Sequence, residues 1–88
     1  MATRVFSSDE LMKLGLPGTC KGGLVLEDRF VDNDGDDEIR FVIFDPSNQG
    51  SEIWGVPYTK REDGGIVFDE QTKATQYVWQ PRLVQAGD

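Results

Sequence analysis

Hydrophobic and polar positions follow a helical spacing only once, near the start of the chain. Ser7 is placed to cap this segment, and Glu10, three residues on, completes a capping box. Phe6 before the cap and Leu11 at the fourth helical position form the matching hydrophobic staple. Gly15 suits the left-handed conformation that ends a helix, and Pro17 follows soon after. The pattern predicts a helix over 8–14, with Leu16 folding back on Leu11. So short a helix is unstable alone. Leu11 and Leu14 must therefore dock on something larger.

After the Gly-rich stretch 17–23 the period changes to alternation, which marks strands. Five are expected, over 24–31, 38–45, 52–58, 66–69 and 75–84. The connections between them are short and rich in turn residues. Parallel strands need crossovers of a dozen or more residues, so only hairpins fit. In 38–45, Ile39, Phe41 and Ile43 share one face while Arg40, Val42 and Phe44 share the other, the mark of a strand covered on both sides. In 24–31, Leu24, Leu26 and Phe30 mark one dominant apolar face. Pro57 and Pro81 cannot donate to a ladder, so edge-like or bulged strand is expected at each; Gly55 suggests a bend or bulge. The expected fold is a single α+β domain over 1–88. One short N-terminal helix packs on a five-stranded, strongly curved antiparallel meander that curls into a small barrel or half-barrel.

Composition narrows the chemistry. The chain has 88 residues, 38% hydrophobic, and a net charge of −7. That suits one small core. It argues against direct binding of nucleic acid or of an anionic membrane, which need clustered Lys and Arg. Residues 27–45 hold eight acidic and two basic side chains, a balance of −6. Cys20 is the single cysteine, which excludes an intrachain disulfide; with no apolar leader, the expected location is the cytoplasm. There is no histidine, which removes Ser-His hydrolases and histidine metal sites. Cys20 beside Lys21 lacks a base, and Asp69-Glu70 or Glu27-Asp28 point to opposite faces of a strand. No catalytic residue, metal ligand or cofactor is therefore assigned, and the chain is read as no enzyme.

Two features remain. The first is the run from Asp32 to Glu38, "DNDGDDE". Placing Gly35 at position six of an EF-hand loop leaves Phe30 and Phe41 at positions one and twelve, where ligands are required. The run is instead a hairpin turn, with Asp34-Gly35 between alternating apolar segments. In an up-and-down sheet the first and third connections lie at one end. Asp32, Asp34, Asp36, Asp37 and Glu38 then meet Glu62 and Asp63, beside Lys60 and Arg61. This acidic pole would steer a basic partner. The second feature is aromatic. Trp54, Tyr58, Tyr77 and Trp79, with Arg82, are residue types that dominate interfaces, and they sit on proline-interrupted strands.

The expected function is a non-enzymatic interaction module. Its partner is another protein or a second copy of the chain, forming a homodimer. The alternatives are a carboxylate-ligand cation binder and an acidic decoy that occupies a nucleic-acid site on another protein. Small, acidic, motif-poor chains of this kind are often encoded by phages and other mobile elements.

Overall fold

A computed structural model of the chain describes residues 4–50, 52–80 and 82–86. The fold is α+β and mostly β. In order along the chain come β1 (Arg4–Ser7), α1 (Ser8–Leu14), β2 (Leu24–Asp34), β3 (Asp37–Asp45), β4 (Ile53–Lys60), β5 (Ile66–Val67), β6 (Gln71–Gln80) and β7 (Arg82–Gln85). All pairings are antiparallel.

The helix has the expected bounds and the expected caps. Ser7 Oγ accepts from the Glu10 amide at 3.2 Å, and the Ser7 amide donates to Glu10 Oε1 at 3.1 Å. Gly15 closes the helix at φ 88°, where any side chain would be strained. Phe6, Leu11 and Leu16 are all buried in one cluster, as the staple and the C-terminal contact require.

The sheet runs β1-β6-β4-β3-β2, with β5 beside β4 and β7 beside β6. Its outermost strands, β1 and β2, do not pair, so it is neither closed nor strongly curled. The expected barrel is therefore corrected. One physical reason is visible on β2. Residues 28–34 are exposed and hold three carboxylates, so the second side of this strand does not bury against another edge.

The fifth expected strand, 75–84, is also corrected. It is two strands, β6 and β7, which pair with each other as Trp79↔Leu83 and Gln80↔Arg82. Pro81 itself and the side chain of Trp79 lie outside the described residues. β4 pairs with β6 over Ile53–Gly55 and with β5 over Thr59–Lys60, so Pro57 falls in the gap between them and needs no donor on that side. Gly55 makes no bulge. A Cβ there would overlap the Phe41 ring and lie 2.8 Å from the Tyr77 ring, so glycine gives two rings room to lie over the strand. β1 was not anticipated; Val5 and Phe6 are too few positions to show alternation.

The core lies on both faces of β3 and β4. Val42 and Phe44 pack with α1 residues, Trp54 and Val56 in one cluster. Ile43 packs with Ile53 and Tyr77 in a second, bordered by Leu26, Phe41 and Leu83. The alternation in β3 is thus buried on both sides, as its sequence implies.

Candidate functional site

The acidic run forms the tip of the β2–β3 hairpin. Asp34 pairs with Asp37, and Gly35 and Asp36 make the two-residue turn, with Gly35 at φ 63°. The turn therefore begins one residue later than an Asp-Gly turn would place it. The loop after β4 comes to the same end: the Glu62 amide donates to Asp37 Oδ1 at 3.1 Å. A shallow groove of about 660 Å³ there is lined by Asp37, Arg61, Glu62 and Asp63. Asp32, Asp34, Asp36, Glu62 and Asp63 are exposed, and Asp37 and Glu38 half-buried.

The carboxylates of this hairpin divide into two groups. Glu27 is paired with Arg29, while Arg40 reaches Glu38 at 2.8 Å and Asp28 at 3.2 Å. Asp32, Asp34 and Asp36 have no salt-bridge partner among the described residues. The tip and its outer side therefore keep their charge. Among the described residues, no three His, Cys, Asp or Glu side chains come together to hold a metal ion.

Trp54, Tyr58 and Tyr77 do not form an exposed patch; the side chain of Trp79, the fourth ring of the expected surface, lies outside the described residues. Trp54 is 2% exposed, Tyr58 4% and Tyr77 7%. The expectation of a surface built from them is corrected: the large rings fill the small core, which has few other residues of that volume. Arg82 is exposed. Tyr77 and Arg82 do border a common groove of about 780 Å³, with Leu26, Glu27 and Arg29 across from them.

Sequence reading also missed where the exposed apolar surface lies. Phe30 is 51% exposed and Val31 55% exposed, both on β2. The register of β2 shifts between Val25 and Glu27 and again between Phe30 and Asp32. Each bulge reverses which residues face which side. Phe30 thus leaves the face that strict alternation assigns it. The adjacent pair Phe30-Val31 was the available signal, because two neighbouring apolar residues on an edge strand cannot both face one core.

Behind this edge lies a polar cluster. The Tyr58 hydroxyl donates to Asp28 Oδ1 at 2.7 Å, and Arg40 holds the same carboxylate. Bonds to Glu38 first, then to Asp28, push the Arg40 guanidinium further above its usual range, so it stays charged. Burial, then the bond to Asp28, pushes the Tyr58 hydroxyl up from 10 to about 12. The neutral phenol is thus favoured in the folded state. Its stabilisation is complete below the unfolded value of 10 and is lost as pH rises through about 12. Ultraviolet titration should show a phenolate step near pH 12 that is absent in Tyr58→Phe. A step near 10 for Tyr58 would contradict the burial.

Cys20 is buried, and burial, then the charge of Asp45, pushes its thiol up. A protonated, enclosed thiol is no nucleophile. No helix among the described residues is long and apolar enough to cross a membrane. No protein-family model, curated protein or solved structure matches the chain.

Proposed function

We propose that this chain is a non-enzymatic interaction module that binds a basic protein partner through the tip and outer side of the β2–β3 hairpin. The observation that carries this reading is the charge left after the internal ion pairs are made. Asp32, Asp34 and Asp36 are exposed without a salt-bridge partner among the described residues, beside a groove lined by Asp37, Glu62 and Asp63 with Arg61 as its one cation. Carboxylates gathered at one end give a field that speeds encounter with a cationic surface and disfavours acidic ones. Trp54, Tyr58 and Tyr77 are buried and do not form this surface.

The test is a titration of the isotopically labelled protein with short Lys- and Arg-rich peptides. Amide shifts are expected for residues 32–38 and 61–63, weakening steeply with added salt. The triple variant Asp32→Asn, Asp34→Asn, Asp36→Asn should lose most of the binding. Equal binding by that variant, or no shift at this end at low salt, overturns the reading. A thermal melt raised by millimolar calcium or magnesium would instead favour the cation-binding alternative.

A further inference from the structure

We infer that β2 takes up the partner as an added β-strand: an extended segment with basic and apolar residues in alternation, paired along the outer side of residues 27–34. The inference rests on the proposed basic partner and specifies how it is held. β2 ends the sheet path and pairs with β3 alone among the described residues. It has 11 residues, against four in β1 at the other end. The stretch 27–34 therefore offers about 25 Å of strand at the usual rise. Natural sheets normally keep exposed edges short, charged or covered. This one is charged, through Glu27, Asp28, Arg29, Asp32 and Asp34, which disfavours a neutral or acidic strand but not a cationic one; it is also long and carries Phe30 and Val31 at 51% and 55% exposure.

The register states what each face of an added strand would meet. Glu27, Arg29, Asp32 and Asp34 oppose Ile43, Phe41, Ile39 and Asp37, so these four share one face of the sheet. Asp28, Phe30 and Asn33 oppose Val42, Arg40 and Glu38 on the other. Along the outer half of β2, an incoming strand thus faces Asp32 and Asp34 with one set of side chains and Phe30 with the other. Cations suit the first set and aliphatic side chains the second, which is a period of two. The bulges at Leu26 and Val31 restrict pairing to strands that can follow them.

A second copy is the competing occupant, and its own charges oppose it. Antiparallel pairing of β2 with itself centred on Arg29 sets two arginines opposite each other. Centring on Phe30 sets Asp28 opposite Asp32. Like charges directly opposed are destabilising.

The experiment compares three peptides at low salt: alternating Lys and Val, the same composition rearranged to helical spacing, and the alternating sequence N-methylated at every second residue. Methylation removes donors from the peptide and leaves the protein unchanged. The alternating peptide should slow hydrogen exchange at β2 amides within 28–34, and methylation should weaken binding about tenfold or more, since several backbone bonds are lost. Equal binding of all three peptides at the acidic end, without β2 protection, overturns strand addition and leaves the basic-partner reading standing. No binding by any of them overturns both. Concentration-dependent dimers that protect β2 without peptide make the second copy the occupant and also overturn the inference.

Discussion

Phe44→Ala is expected to destabilise the fold by about 3–5 kcal/mol, the usual cost of removing a buried phenylalanine. Phe44 is 0% exposed, stands opposite Trp54 in the β3–β4 ladder, and meets the Phe6 ring edge-on with centroids 5.5 Å apart. Phe6 in turn meets Trp54 at 6.3 Å. One truncation therefore opens a void where helix, β1, β3 and β4 converge. Surrounding strands cannot collapse into it without losing ladder bonds. A domain of this size typically has about 5–15 kcal/mol in all, so the variant should be marginally folded at 37 °C. Phe30→Ala is the control. The residue type is the same and lies on the adjoining strand, but it is half exposed, so the change should stay within about 0.5 kcal/mol. Urea midpoints for the two variants measure the difference. Comparable costs at the two positions would mean that the core is misassigned.

Asp45→Ala is expected to cost about 2–4 kcal/mol, because bonds to a charged acceptor are lost and amides are left unpaired. Asp45 is 4% exposed. Its Oδ1 accepts from the Ser47 amide at 3.2 Å, the Ser47 hydroxyl at 3.3 Å and the Asn48 amide at 3.0 Å. Its Oδ2 accepts from the Gly50 amide at 2.7 Å. One buried carboxylate thus organises the loop between β3 and β4, which includes Asn48 at φ 57° and Gly50 at φ 75°. Asp45→Asn keeps one acceptor oxygen and can retain the Oδ1 set, so its cost should be clearly smaller. Hydrogen exchange at Ser47, Asn48 and Gly50 should quicken in the alanine variant before global unfolding. Unchanged exchange at those three amides would remove Asp45 as the organiser of the loop.

The two positions differ in how far they could be read in advance. Phe44 sits in an alternating run with apolar residues on both faces, and that pattern already implied double burial. Asp45 ends the same run and precedes a proline, where a carboxylate usually marks a solvated turn. Only the path of the following five residues brings their amides onto it. The aromatic residues failed for a related reason. Trp54 and Tyr58 carry the same side chains whether they face a partner or a core, and composition does not say which. The sheet decides it, by placing Phe6, α1 and Phe68 against that face.

The hairpin tip and the helix were legible because their signals are local. A capping serine, a glutamate three residues on and a glycine at the end act within one or two turns of backbone. Strand pairing at the sheet margins was not legible. Nothing within Arg4–Ser7 announces that it will lie beside β6, and nothing within 75–84 shows that its two halves will turn and pair with each other. The outer face of β2 depends on bulges that exist only in register with β3.

By itself, then, the amino-acid sequence determined the helix with its caps, the antiparallel hairpin at Gly35, the double burial of β3, and a net charge of −7 gathered mostly over residues 27–45. These follow from short-range conformational preference and from charge counting. The tertiary structure alone decided that the sheet stays open, that Trp54, Tyr58 and Tyr77 are core, and that β2 presents an acidic edge with Phe30 and Val31 exposed. Those outcomes depend on which residues, distant along the chain, exclude water from one another, and packing of that kind is settled only when the strands choose their neighbours.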